Sequence, residues 1–301
     1  MKTAIKKHLL GWPSRAARRF NAVQAFTLIE LLVVIATLAV LSVVLLPALA
    51  GSRAQPRVTA CAANFRQWAV SVNLYASDDA QGRLPQFNWN GGGGDYLSDV
   101  SIHMVTNLGP YGLTVPMWFC PVRPDEFDGA ERSCEIAFGH PLNTIQDLQA
   151  AFNNNKYGDC IINHNWWVQR AQVANPPPNS LFPPDMYSDP STFATILALN
   201  PWMKNTPVGM YGYPKKLHDN AAAHVPFISD RASSSMNGGG FAKPLTGRSS
   251  YNPKDCSPNT AHFVNGVLLG VNAAYADGHV EAHNQIQMNC GYIQNDPYWF
   301  Y

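Results

Sequence analysis

The sequence predicts an α+β protein in which one long N-terminal helix packs on an antiparallel sheet carrying large loop insertions. Three observations lead there. An apolar run from Leu31 to Ala50 follows a wholly basic leader, and an apolar stripe at helical spacing continues from Cys61 to Tyr75. Short apolar stretches bounded by turn residues, with Asp277-Gly278 near the C-terminus, mark strands.

The chain has 301 residues, enough for one or two domains with a sizeable core. Charged residues make up only 14%, while 22 glycines and 23 prolines suit a loop-rich body with short strands. The net charge of +1 hides an asymmetry. Residues 1–25 hold Lys2, Lys6, Lys7, Arg15, Arg18 and Arg19 and no acid, which leaves 15 basic against 20 acidic residues beyond them, a formal −5. A body of that sign has no electrostatic footprint for nucleic acid. The basic leader fits the cytoplasmic side of a membrane, with the rest of the chain exported. The expected organisation is a leader over 1–25, a transmembrane segment over 26–50, an amphipathic helical continuation over 51–82 and a globular domain over 83–301.

The first helix follows from hydropathy. From Leu31 to Leu46 the only polar side chains are the hydroxyls of Thr37 and Ser42. At 1.5 Å per residue, Leu28 to Ala50 spans roughly 34 Å, enough for a bilayer core of about 30 Å. A cleaved secretory signal fits less well, because the run is longer than an ordinary signal core and Glu30 lies inside its start. A plain anchor with an acid near the interface is the simplest reading. Pro47 should kink or loosen this helix, and Gly51-Ser52 adds a weak point, so fraying is expected between Pro47 and Pro56.

The segment Ala25-Phe26-Thr27-Leu28-Ile29-Glu30-Leu31-Leu32-Val33-Val34-Ile35 resembles the cleavage and methylation segment of type IV pilins and type II secretion pseudopilins. The resemblance implies cleavage by a prepilin peptidase between Ala25 and Phe26, followed by methylation of the new amine. It departs from the family in having Ala25 where Gly is usual. It also implies a role for Glu30: a carboxylate in lipid needs a partner, and in that family it pairs with the N-terminal ammonium of a neighbouring subunit.

In the second helix, Cys61, Phe65, Trp68, Val72 and Tyr75 are spaced four, three, four and three apart, an amphipathic stripe that a sheet would cover. Arg66, Gln67 and Asn73 fall off it, and Gly82 is the expected stop. Cys61-Ala62-Ala63-Asn64-Phe65-Arg66-Gln67, Tyr75 and Gly82-Arg83-Leu84-Pro85 resemble a pilin-like subfamily that recurs in planctomycete- and verrucomicrobia-type genomes.

Gln86 to about Tyr251 reads as loop-rich. The glycine run Gly91–Gly94 lacks a following Lys-Ser/Thr and reads as a turn rather than a phosphate loop. Trp118-Phe119-Cys120-Pro121 reads as a buried strand ending at a turn, Ile161 to Val168 as a strand, and Val225 to Asp230 as a short core strand ending in an acid. Pro176–Pro178 and Pro183-Pro184 mark an exposed linker, and Ala232 to Gly240 another loop. The six cysteines, Cys61, Cys120, Cys134, Cys160, Cys256 and Cys290, include no C-x-x-C pair, which weakens zinc-ribbon and thioredoxin readings. In an exported domain they permit disulfides.

Near the C-terminus Asp277-Gly278 signals a hairpin, with both residues suited to positive φ. The simplest reading is a turn at Asp277-Gly278 with His279 and Glu281 on one strand face and Val280 on the other; Asn272, Asp277, His279, Asp230 and His262 could also converge around it as a hydrogen-bond network or a metal site. Asp230 and Asp277 would suit Ca²⁺, whereas His262 and His279 would shift the preference toward Zn²⁺. The subfamily's C-terminal pattern is His-x9-Asp-Gly. Here His262 and Asp277 are separated by 14 residues, so Asp277 and Gly278 carry over more directly than His262.

Enzyme chemistry finds no support in the motifs: there is no Gly-x-Ser-x-Gly and no His-Glu-x-x-His, and Asp78-Asp79 and Asp125-Glu126 read as solvated acids. The resemblance implies a pilin-like fold and a structural subunit, a minor or accessory pseudopilin. Its partners would be other pilin or pseudopilin subunits, the prepilin peptidase, the inner-membrane assembly platform and the membrane itself. The N-terminus would be cytoplasmic and the body periplasmic or at the cell surface. Two other classes stay open. One is a membrane-tethered carbohydrate-binding module using the 8 Trp, 12 Tyr and 14 Phe. The other is an anchored metal-dependent hydrolase around Asp230, His262 and Asp277.

Overall fold

The computed structural model describes residues 27–52, 54–85, 97–154, 159–162, 164–168, 198, 204–234, 262–264, 267–284, 290–293 and 298–300. Ala25, Phe26, the Gly91–Gly94 run and both proline clusters lie outside them. The chain divides into two compact units, Met1–Ala50 and Gly51–Tyr301.

In the first unit, helix α1 (Leu28–Ser52) covers 25 residues, about 37 Å at helical rise. It continues through Pro47, where the helix was expected to kink or loosen. Loss of one backbone donor removes a single i→i−4 bond, and the turns on either side still hold theirs. Side chains of α1 are described from Leu28 to Ser42, about 22 Å of helix. Among the described residues no helix is long and apolar enough to cross a membrane.

The second unit is α+β. Helix α2 (Ala54–Asp78) carries Pro56 in its first turn, where the backbone N–H has no intrahelical partner to lose. It buries Val58, Cys61, Phe65, Trp68, Ala69, Val72 and Ala76 on one face, while Tyr75 is half-buried. Beyond its end, the Asp79 carboxylate accepts from the Gln81 and Arg83 amides at 2.9 and 3.1 Å. It also pairs with the Arg83 guanidinium at 2.7 Å, which holds that carboxyl well below the usual range. Gly82, at φ 66°, turns the chain out of the helix.

Beyond α2 come β1 (Asp99–Ser101), α3 (Ile102–Leu108) and two 3-10 turns at Gly109–Tyr111 and Val115–Trp118. Then follow α4 (Pro124–Phe138), α5 (Ile145–Phe152), β2 (Asn153–Asn154), β3 (Asp159–Ile161), β4 (His164–Trp166) and α6 (Pro207–Tyr211). The remaining strands are β5 (Ile228–Asp230), β6 (Ala232–Ser234), β7 (Phe263–Val264), β8 (Val267–Leu268), β9 (Val271–Ala274), β10 (Val280–His283), β11 (Cys290–Ile293) and β12 (Tyr298–Phe300). The main sheet is antiparallel in the order β10-β9-β5-β4, and α2 packs on β9 and β10. Registers His164↔Asp230 and Ile228↔Ala274 lock β5 between its neighbours.

Several sequence expectations need correction. Trp118 closes a 3-10 turn, Phe119 is extended and Cys120-Pro121 enter another turn, so no strand forms there, although Trp118, Phe119 and Cys120 are all buried. Pro116 at the start of that 3-10 turn cannot donate to a ladder, which favours a turn over a strand. The single strand expected over Ile161–Val168 is two, β3 and β4, in different sheets; Ile162 N donates instead to Ser98 O at 2.8 Å. Ala232–Ser234, read as loop, pairs with β12.

The loop-rich middle contains two helices whose punctuation was visible. Pro124 occupies the first turn of α4, Asp125 and Glu126 follow in that turn, and Gly139 caps its end at φ 76°. This is the proline-in, glycine-out asymmetry of helices, with acids at the positive end of the dipole. Before α5, Thr144 and Asp147 exchange bonds: the Asp147 amide donates to Thr144 Oγ1 at 3.1 Å, and the Thr144 amide to Asp147 Oδ2 at 2.8 Å.

Trp68 anchors the core. Its ring meets Trp118 edge-on at 4.6 Å and 72°, and its Nε1–H donates to the Met117 carbonyl at 2.9 Å. Trp68→Ala is expected to destabilise the body by about 3–5 kcal/mol, the usual cost of emptying a large buried aromatic site. Denaturant unfolding followed by far-ultraviolet dichroism checks it.

Candidate functional site

Two places carry chemistry. The first is the start of α1. Glu30 N donates to Thr27 Oγ1 at 3.3 Å, while the Thr27 amide and hydroxyl both donate to Glu30 Oε2, at 2.9 and 2.7 Å. Thr27-x-x-Glu30 is thus a capping box, in which each residue satisfies the other's free donor. The carboxylate folds back on its own helix terminus. Around it every large apolar side chain from Leu28 to Leu41 is 46–80% exposed.

The second place lies inside the globular unit. Cys61 from α2, Cys120 from the turn after the 3-10 helix, Asp230 from the end of β5 and His262 just before β7 converge. One ligand atom from each lies within 4.8 Å of the others, and all four residues are at most 1% exposed. Cys61 Sγ–H donates to Asp230 Oδ1 at 3.2 Å. The Asn272 amide donates to Asp230 Oδ2 at 2.8 Å, and His262 Nε2 stands 3.2 Å from that same oxygen. A carboxylate at 0% exposure would cost several kcal/mol without such partners.

The four groups perturb one another. Burial pushes the Cys61 thiol up, whereas the hydrogen bond from Cys61, helped by His262, lowers Cys120 to about 6. Burial alone would lower His262, but the Asp230 carboxylate and then Cys120 overcome it and raise the imidazole to about 9. The shifts favour a thiolate at Cys120 and a charged imidazole at His262.

The backbone is bent to deliver His262. Its φ is 58°, a left-handed conformation that His adopts more readily than most residues. Leu269 N donates to His262 O at 3.0 Å, closing the β7–β8 hairpin, so the two ends of the six residues 263–268 meet. His262 Nδ1 then donates to the Gly270 carbonyl at 2.9 Å. The hairpin absorbs much of the 14-residue spacing to Asp277. That is why counting along the chain understated His262.

Asp277 and Gly278 do sit at the tip of the β9–β10 hairpin, but not as a two-residue turn. Gly278 N donates to Tyr275 O and Tyr275 N to His279 O, both at 3.0 Å, so the turn covers Tyr275 to Gly278. Only Gly278, at φ 98°, is left-handed. This matches a type I turn followed by a glycine bulge, which asks positive φ of one residue rather than two. Asp277 is exposed and contacts His279 Nδ1, and the His279 ring stacks on Tyr275 at 4.1 Å.

Of the residues expected to converge, the structure joins Asp230, His262 and Asn272, and leaves Asp277 and His279 together at the hairpin tip. It adds Cys61 and Cys120, which the sequence reading had placed as buried residues and as cysteines free to form disulfides. Their signal was indirect: two cysteines without a C-x-x-C partner, in segments that both read as buried. A further group, Cys134, His140 and Asp147, comes together near α5, but Asp147 is occupied by the helix cap described above.

No protein-family model, curated protein or solved structure matches the chain. The α+β fold and the two sites stand on geometry alone.

Two substitutions check this geometry. Asp230→Ala leaves the Asn272 amide and His262 buried without their acceptor and is expected to cost about 3–5 kcal/mol in urea unfolding. Gly278→Ala forces an L-residue to φ 98° and should cost about 1 kcal/mol, read in the same assay with His262 and Cys61 untouched.

Proposed function

We propose that the protein is a structural subunit of a pilin-like filament, inserted through α1, cut before Phe26 and polymerised through the same helix. The observation that carries this reading is the exposed apolar surface of α1. A helix that is hydrophobic all round is stable only where lipid or other helices cover it. Unlike α2, whose apolar residues form one stripe with a sheet against it, α1 has apolar side chains at nearly every described position. Lipid covers such a helix before assembly, and the α1 helices of other subunits cover it afterwards.

The capping box gives the single acid a specific role. In the lone chain Glu30 is held by Thr27, one residue from the amine that cleavage before Phe26 would create. In a filament a neighbour's ammonium can replace the Thr27 donors, so the carboxylate passes from one partner to another without becoming an unpaired charge in lipid. The resemblance of residues 25–35 to the pilin processing segment supports this reading, and the main sheet packed on α2 is compatible with a pilin-like body. The function is then mechanical: assembly driven by a separate ATPase at an inner-membrane platform, with the body periplasmic or at the cell surface. A hydrolase around Asp230, His262 and Asp277 gains no support, because the first two are fully buried and the third stands apart.

Mass spectrometry of the mature N-terminus is the direct test, and an N-methylated Phe26 is the expected result. A chain beginning near Ala50, or retaining its leader, would defeat the reading. Glu30→Ala should still insert into membranes but yield no filaments by electron microscopy.

A further inference from the structure

We propose that Cys61, Cys120, Asp230 and His262 form a closed tetrahedral zinc site that ties the globular unit together. The proposal is independent of how α1 is used.

Donor chemistry comes first. Two thiols, one imidazole and one carboxylate make a soft and borderline set, suited to Zn²⁺ and poorly suited to Ca²⁺, which takes six to eight oxygens. Zinc binds sulfur at about 2.3 Å and nitrogen or oxygen at about 2.0–2.2 Å, so the edges of its tetrahedron run about 3.3–3.8 Å. Asp230 Oδ1 lies 3.2 Å from Cys61 Sγ and Asp230 Oδ2 lies 3.2 Å from His262 Nε2, and one ligand atom from each of the four residues lies within 4.8 Å of the others.

The surroundings orient the ligands as metal sites require. His262 Nδ1 donates to the Gly270 carbonyl, which orients the ring so that Nε2 faces inward and offers its lone pair once a metal displaces the Nε2 proton. Nε2 is fully buried, stands 3.2 Å from Asp230 Oδ2 outside hydrogen-bond geometry, and is aimed at the cluster. Asp230 is held by the Asn272 amide, which leaves its second oxygen on the Cys61 side. His262 sits at a left-handed φ, the kind of backbone cost that persists where a functional geometry demands it. Cys120 also lines an apolar groove of about 450 Å³ with Asn64, Phe119 and Phe127.

Binding is acid–base chemistry with no electron transfer. Zn²⁺ takes the place of two protons, the Cys61 thiol proton and the Nε2 proton of the charged imidazole, which leave to solvent, and it accepts both sulfurs, the freed Nε2 lone pair and one Asp230 oxygen. All four positions come from the protein and all are buried, so the site is structural, with none left open for substrate. It staples α2, the turn at Cys120, the end of β5 and the segment before β7, elements far apart in the chain. A Cys61–Cys120 disulfide is the competing fate of the same sulfurs in an oxidising compartment. It would leave His262 Nε2 and Asp230 facing each other with no cation between them.

The test uses the full-length chain purified in detergent without chelator. Zinc content by plasma mass spectrometry should approach one ion per chain. It should fall at least tenfold in Cys120→Ser and stay unchanged in Cys134→Ser and His279→Gln. Exchange with Co²⁺ should give thiolate charge-transfer absorption together with the intense d–d bands of a tetrahedral centre. A metal-free chain whose peptide map shows Cys61 joined to Cys120 overturns the proposal, as does a metal-free chain with both thiols free. So does zinc retained undiminished in Cys120→Ser. Should that variant fail to fold, the cobalt spectrum of the unaltered chain decides: no thiolate charge transfer, no site.

Discussion

The globular unit depends on one buried carboxylate. Asp230 ends β5 at 0% exposure and takes hydrogen bonds from a helix cysteine and a strand amide, with a histidine beside it. An ionised carboxylate in an apolar interior is tolerated only when its lone pairs are met. Meeting them dictates much of the surrounding architecture. Asn272 must present its amide from β9, so β9 pairs with β5 in that register. Cys61 must face the sheet, which sets the rotation of α2. His262 must reach in from outside the main sheet, which the backbone manages by closing the β7–β8 hairpin and placing His262 at positive φ. Remove the acid and each of these loses its reason.

The two helices meet opposite physical demands. In α2 the apolar residues fall on one stripe that the core covers, and the other face carries Arg66 and Gln67 in solvent. In α1 apolar side chains surround the axis and stay exposed, and polar character concentrates at the Thr27–Glu30 cap. A stripe finds its partner inside the same chain. A fully apolar cylinder must find one outside it, in lipid or in further helices. Packing of the globular unit therefore falls to α2, while α1 leaves its apolar surface exposed.

Legibility in the sequence followed the range of the interaction. Period and punctuation are local, so α2, its stop at Gly82, the hairpin at Asp277-Gly278 and the strand ending in Asp230 could all be read. Helix α4 was equally legible, with Pro124 before its acids and Gly139 after them, but the surrounding prolines and glycines disguised it as loop. So was the capping box, once Glu30 is seen as Thr27 plus three rather than only as an acid in a membrane segment. Trp118 to Cys120 misled because burial and strand propensity coincide in such residues, while Pro116 had already committed the backbone to a 3-10 turn.

By itself the sequence determined the apolar helix, its lone acid, the stripe that continues from Cys61 and the α+β class, because each rests on spacings within a few residues. Only the tertiary structure decided that Cys61 and Cys120 meet Asp230 and His262, whereas Asp277 and His279 do not. Those four residues lie on separate elements, and their convergence depends on strand register and one left-handed residue, neither of which leaves a periodic trace. The hairpin after His262 makes the point: its six residues lengthen the count along the chain, yet the histidine still reaches the acid.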